Sequence, residues 1–329
     1  MYYNPVYYIK IGNYRFRSII SLEIFKSTNQ IGNRATIVLP ISAVIRNNGK
    51  KAGSVMTAQA FNINDEVIIN CGYRGELVKE EFRGKVKSIR HESPVVIECL
   101  DNMIELEQYN YKKTFPNSIT LKRLLGAVLE PFKWLKLDSS NIPELTFKFY
   151  YLVGSGRYIL EELQRNFGFD IWFEGDVLRV VLPYLRNAGS KVLLYLSGEK
   201  CNVAEVTELK FRDAKSIKLK VKAILMKSDG TKITKEVGDE GGNEITLYFY
   251  SLPEGTNLKD YAWSQRQKYV YDGYDGTIKT FFIPDIQPGM TAILRDPKFS
   301  REGSYFIESV IISGDSSGLF RKVKIGIKI

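Results

Sequence analysis

The residues able to do chemistry in this chain are few and scattered. His91 is the only histidine, and it stands between Arg90 and Glu92 near the end of a predicted strand. General-base chemistry needs a partner to orient the imidazole, and a metal needs a second ligand at a fixed spacing. Neither pattern surrounds His91, so it reads as an exposed loop residue. Cys71, Cys99 and Cys201 are odd in number and widely spaced, which is neither a disulfide framework nor a metal motif. Cys71 and Cys99 lie in apolar runs and read as small core residues, and a reducing compartment fits. The segment Val153-Gly154-Ser155-Gly156-Arg157 precedes a predicted helix, where backbone amides could hold a phosphate. It lacks the Gly-Lys-Ser/Thr ending of a P-loop, so Ser155 reads as a helix cap. Carboxylates are plentiful, and a glycosidase-like pair cannot be picked out from spacing alone. No catalytic, cofactor-binding or metal-binding residue is assigned, and the chain is not expected to be an enzyme.

Basic residues spaced two apart on predicted strands stand out instead. Lys218, Lys220 and Lys222 share one strand face, with apolar residues on the other. Arg83, Lys85 and Lys87 form a second stripe, and Lys322, Lys324 and Lys328 a third. Each can be a solvated outer face, or the lining of a channel that passes DNA through non-specific phosphate contact. Aromatic residues do not interleave with these lysines, so base stacking is not indicated. The net charge of +10 over 329 residues permits an acidic partner without requiring one.

The elements that would carry these residues are mainly strands. Hydrophobic content is 44%, charged content 26%, and aromatic content 12% with 20 Tyr and 18 Phe, a composition that favours β-structure. Ser21–Lys26 and Arg34–Leu39 read as paired strands around a Gly32 turn, followed by a polar loop over 41–57. Between Asn62 and Leu106, three closely spaced strands follow the acidic turn Asn64-Asp65-Glu66, with no room for crossover helices. Leu121, Leu124, Leu125, Val128 and Leu129 fall on one helical face, capped by Ser118 or Thr120. A second helix is predicted over Gly156–Phe167, with Gly168 as its stop. The hairpin Phe169–Phe173 and Val177–Val181 follows it. Later, Asp229-Gly230 turns between two strands, Gly238–Asn243 reads as a mobile tip, and Asn257–Tyr271 reads as a helix. The last fifty residues return to strands, and their Gln287-Pro288-Gly289 turn and Gly303-x-Tyr-x-Ile-x-x-Val310 strand repeat the outline of 62–106.

These features resemble the hub proteins of phage baseplates, the family of late control protein D and the hub part of type VI secretion spikes. The resemblance rests on the polar turn before an apolar strand, Gly72-Tyr73, Phe82-x-Gly84-x-Val86, the acidic residue Asp101 closing a strand, and Gly168-Phe169-x-Ile171-x-Phe173 after a helix. It is strongest over 62–106, 155–182 and 277–329. The implied fold is mainly β with α+β parts. A first tail-hub antiparallel β-barrel spans 1–107 and a small helix-hairpin α+β domain spans 108–186. A second, discontinuous barrel takes 187–223 and 276–329, interrupted by an inserted α+β domain at 224–275.

The implied function is a homotrimeric, pseudo-sixfold ring joining a tail tube protein to a central spike protein around a DNA or effector channel. Such a protein is made in the bacterial cytoplasm and ends in a virion tail or phage-like particle. No Sec-type leader is expected, and the apolar runs fall short of the ~20 residues that cross a bilayer, so no membrane insertion is expected. Some hub relatives carry fused lysozyme or spike domains, and no such extension is expected after Lys328. A basic, OB-like nucleic-acid-binding protein and a tail-associated cell-wall hydrolase remain alternatives.

Overall fold

The computed structural model describes residues 4–47, 50–140, 142–181, 190–252 and 257–329. The expected boundaries at 186 and 187 fall outside them. The first half contains β1 (Pro5–Ile11), β2 (Tyr14–Phe16), β3 (Ser21–Ser27), β4 (Arg34–Leu39), β5 (Ser42–Asn47), β6 (Lys50–Met56), β7 (Glu66–Tyr73), β8 (Val78–Arg90) and β9 (Val95–Leu100). A helical region follows: α1 (Met103–Gln108), β10 (Asn110–Phe115), β11 (Ile119–Thr120), α2 (Leu121–Leu129), β12 (Lys136–Leu137), β13 (Thr146–Phe147), β14 (Tyr150–Ser155), α3 (Gly156–Phe167), β15 (Asp170–Glu174) and β16 (Val177–Val181). The remainder comprises β17 (Lys191–Tyr195), β18 (Val203–Glu205), β19 (Leu209–Arg212), β20 (Leu219–Met226), β21 (Lys232–Gly238), β22 (Asn243–Phe249), α4 (Leu258–Arg266), β23 (Gly273–Phe281), β24 (Thr291–Asp296), β25 (Arg301–Asp315) and β26 (Gly318–Lys328).

The fold is mainly β and is dominated by one 14-stranded sheet. In its first half β3, β4, β9, β8, β7 and β1 are neighbours in that order. In its second half β23 sits beside β26, β26 beside β25, β25 beside β24 and β24 beside β17, while β18 and β19 both pair along the other edge of β23. The two halves therefore share one neighbour order. They differ at the first strand, since β1 runs antiparallel to β7 but β17 runs parallel to β24. Pairing of β25 with β3, from Ser309 opposite Ser27 to Gly314 opposite Leu22, makes the sheet continuous across both halves.

The likeness of the halves extends to backbone detail. The Asn64 amide donates to the Val86 carbonyl, and Val86 donates back to Asp65. In the second half Gly289 donates to Ile307, and Ile307 to Met290. Asn64 and Gly289 both take left-handed backbone, with φ of 70° and 89°. Asn and Gly are the residues that tolerate this region. One residue further on, the register slips at Lys87 in β8 and at Glu308 in β25.

Alternation seals one face of each strand. Ile9, Ile24, Ile37, Ile69 and Ile97 join Ile278, Leu294, Val310 and Val323 in a single core that runs through both halves. A second core gathers Leu124 and Val128 of α2, Leu160 of α3, Phe169 and Ile171 together with Val221 and Phe249. The helix-hairpin region and the three-stranded sheet β21–β20–β22 thus share one interior, although 37 residues separate β16 from β20 in sequence.

Local signals act as expected at the helices. Thr120 accepts from the Arg123 amide to cap α2, Ser155 accepts from Tyr158 to cap α3, and Gly168 closes α3 with φ of 67°. Several expectations need correction. Residues 42–47 and 50–56 pair as the antiparallel strands β5 and β6, where a polar loop was expected. The tip at 238–243 is tied down, because Asp239 accepts from the Leu219 amide and pairs with Arg266. Helix α4 ends at Arg266, whose carbonyl takes the amides of Tyr269 and Val270 in a turn. β20 runs unbroken across the expected boundary at 223, so Lys220 and Lys222 sit in the three-stranded sheet, not in a barrel strand. No helix among the described residues is long and apolar enough to cross a membrane.

Candidate functional site

The three basic stripes end in different surroundings. On β8, Arg83 forks onto Glu80 at 2.7 and 2.9 Å and reaches Glu66 at 3.4 Å. Lys85 pairs with Glu105, and Lys87 with Glu107 at 2.6 Å, both carboxylates coming from α1. On β26, Lys322 pairs with Glu208 at 2.6 Å and Lys324 with Glu308 at 3.4 Å, while Lys328 donates to the Asp272 carbonyl at 3.0 Å. On β20, Lys220 pairs with Glu236 at 2.6 Å. Lys218 and Lys222 make no ion pair among the described residues. The stripes on β8 and β26 are not duplicates of each other, since by register β8 matches β25 and β9 matches β26.

The other singled-out residues take ordinary places. Cys71 and Cys99 are buried on strands, and burial pushes the Cys71 thiol up to about 12. Cys201 is exposed. His91 is exposed just past the end of β8. The Gly156 amide is spent on the Tyr109 carbonyl, and Arg157 pairs with Glu107 and Glu161 at 2.9 and 2.8 Å.

A buried charge cluster at the seam between the halves went unnoticed in the sequence. Arg321 on β26 is fully buried and meets Glu81 on β8 at 2.6 Å. Its Nε donates to the Phe282 carbonyl at 2.9 Å and its Nη1 to the Ile286 carbonyl at 3.1 Å. The guanidinium lies 4.1 Å from the centre of the Phe282 ring, and Asp285 approaches at 3.3 Å. Glu81 also binds Lys26 of β3 at 2.5 Å and takes a hydrogen bond from Gln287 at 3.2 Å. Lys79 closes the cluster through Asp285 at 2.6 Å. Burial alone would raise the Glu81 carboxyl, but Lys26 and Arg321 hold it below the usual range. Buried charges survive only when paired and hydrogen-bonded, and here each has partners from both halves. Beside it, the buried Tyr73 hydroxyl donates to the Leu319 carbonyl at 2.5 Å and accepts from the Phe282 amide at 3.1 Å.

A sequence signal for Arg321 did exist. Leu319, Val323 and Ile325 share its parity on β26, and all are buried. An arginine on the apolar side of an alternating strand marks a buried charge. Glu81 had no such signal. The register slips between Ile69 and Asn70, leaving Glu81 opposite no residue of β7, so both Glu81 and Phe82 turn inward.

No family model matches the sequence, and neither does any curated protein. Solved structures share the fold across nearly the whole chain. A tail protein from Neisseria meningitidis MC58 aligns with a TM-score of 0.65 at 13% identity, covering 99% of this chain and 97% of that one. The 43 kDa tail protein of prophage MuSo2 from Shewanella oneidensis gives 0.62 at 15% identity, covering 98% of each. The Escherichia coli c3393 protein gives 0.56 at 9% identity, covering 96% of this chain and 76% of that one. It is described as a type VI secretion component with structural similarity to the T4 bacteriophage tail proteins gp27 and gp5. At these identities the likeness speaks for architecture: this chain has the tail-hub-type fold of phage and prophage tail proteins and of a type VI secretion component.

Proposed function

We propose that this chain is the structural hub of a phage or phage-like contractile tail baseplate, working as a homotrimer. The internal duplication carries the reading: two halves share neighbour order, left-handed turn and register slip, and are fused edge to edge. Three such chains in a ring present six near-equivalent units. A ring of that kind can meet a sixfold tail tube protein on one face and a threefold central spike protein on the other. DNA or an effector would pass through the hole, and the protein would reside in the tail of a virion or related particle. The role is structural, without catalysis.

The channel-lining role stays a proposal for Arg83, Lys85, Lys87, Lys322, Lys324 and Lys328. Arg83, Lys87 and Lys324 are exposed and Lys85, Lys322 and Lys328 half-buried, which supports it, and the carboxylate partners of Arg83, Lys85, Lys87, Lys322 and Lys324 favour passage over tight binding. Lys218, Lys220 and Lys222 carry the same proposal from the three-stranded sheet. Light scattering of the full chain, alone and with a tube or spike protein, tests the reading. A mass of three chains supports it. A strict monomer that also fails to assemble with either partner overturns it.

A further inference from the structure

The joint between the two halves is a strand pair, and both of its strands have counterparts elsewhere in the chain. One row of facing residues fixes the correspondence. In the first half Val86 faces Cys99, Cys99 faces Ala35, and Ala35 faces Ile24. In the second half Ile307 faces Ile325, Ile325 faces Gly276, and Gly276 faces Leu209. β8 therefore corresponds to β25, and β19 with β18 corresponds to β3. Inside the chain β25 takes β3, with Val310 opposite Lys26 and Ile311 opposite Phe25. The corresponding edge of β8, from Ser88 to Arg90, takes no strand among the described residues, and β18 and β19 pair only with β23.

Burial records the same difference. Val310 and Ile24 are 0% exposed at the joint. Their counterparts Ile89 and Leu209 are only half-buried at the rim of the same core. Phe211, beside Leu209, is 41% exposed. An open strand edge with half-covered apolar residues is a template for another strand.

We propose that β8 of one copy takes β19 of a second copy, in the register that β25 and β3 use within the chain. This rests on the reading of the chain as a self-assembling tail hub. Ile89 then lies opposite Phe211 of the partner subunit, and Arg90 opposite Lys210 of the partner subunit. The two cations each bring a counter-charge, because Arg90 pairs with Glu98 at 3.2 Å and Asp275 faces Lys210 across β19 and β23. The contact is head-to-tail, so it propagates until rotation closes a ring. Every joint around the ring, within a chain or between chains, is then the same strand pair.

Disulfide trapping in the full-length protein tests this. The Thr28 amide donates to the Glu308 carbonyl, so by alternation Ile311 and Phe25 form a non-hydrogen-bonded pair, the closer kind. Their counterparts are Arg90 and Lys210, both exposed. With Cys201→Ser to remove the exposed native thiol, Arg90→Cys and Lys210→Cys combined should give a cross-linked ladder, ending in a closed oligomer, on a non-reducing gel. Each single variant should run as monomer. A protein that associates by light scattering but does not cross-link overturns this joint and leaves the oligomer standing. A protein that stays monomeric at every concentration overturns both.

Discussion

Arg321 and Glu81 meet at 2.6 Å with both side chains at 0% exposure, one from the last strand and one from a register slip 240 residues earlier. The pair ties the two halves of the sheet to each other, since Glu81 lies on β8 and Arg321 on β26. Removing Arg321 leaves Glu81 with Lys26 and Gln287 as its hydrogen-bond donors and takes the donors from the Phe282 and Ile286 carbonyls. Arg321→Met should therefore cost about 3–5 kcal/mol, read from urea denaturation. Lys322→Met, one residue along on the exposed side, should cost no more than about 1 kcal/mol. Equal effects of the two substitutions would show that the seam does not depend on this pair.

The same pair gives an acid response. Burial pushes the Glu81 carboxyl up, Lys26 and Arg321 outweigh that, and its folded value lies below the ordinary one. Its contribution is thus complete above the unfolded value of about 4.3 and is lost as pH falls through the folded value. The stability gap between wild type and Glu81→Gln should stay constant from neutral pH down to about pH 5 and shrink below it. A gap that holds undiminished to pH 3 would contradict this assignment.

Asp101 has the opposite sign. It accepts from the Asn33 and Met103 amides at 2.8 and 3.0 Å, yet burial raises its carboxyl to about 6. A raised carboxyl binds its proton more readily when folded, so stability declines as pH rises from about 4 to about 6. The decline from this group is at most about 3 kcal/mol. Asp101→Asn should flatten that slope in melts taken across the same range, whatever its effect at a single pH. A slope unchanged by the substitution would assign it to another group.

Asn64 and Gly289 test the duplication directly. Both hold positive φ just before equivalent strands, Asn64 before β7 and Gly289 before β24. Asn64→Gly should be tolerated within about 1 kcal/mol, since glycine enters this region freely. Asn64→Val and Gly289→Val should each cost about 1–2 kcal/mol or more, because a β-branched residue strains there. Matching losses in thermal unfolding would support equivalent roles, and a loss at only one site would not.

At Gly168 the cost of a side chain has two sources. Its φ of 67° disfavours any Cβ, and one placed there would lie 2.5 Å from the Tyr248 ring on β22. Gly168→Ala should destabilise by more than the ~1–2 kcal/mol of the left-handed backbone alone. Gly175→Ala, at φ of 58° with open space around it, should show only the backbone share. Equal losses at the two glycines would mean that the contact with Tyr248 relaxes.

Much of the architecture was legible locally. Period-two alternation placed β7, β8, β9 and β26, the 3.6-residue stripe placed α2 and α3, and Thr120, Ser155 and Gly168 marked their ends, because each signal needs only near neighbours in sequence. The two-strand signal at 42–56 was masked by its polar composition, and α1 was too short to show a period. The candidate site was less legible. Spacing could align Lys85, Lys87, Lys322 and Lys324 on strand faces, but it could not supply Glu105, Glu107, Glu208 and Glu308, which come from other elements. Parity on β26 marks Arg321 as inward-facing, but it was not among the residues singled out from the sequence. Its partner Glu81 depends on a register slip between two strands, and pairing across β3 and β25 joins positions about 280 residues apart. Which strand covers which edge, and which charge meets which, is set by long-range packing that no window of the sequence contains.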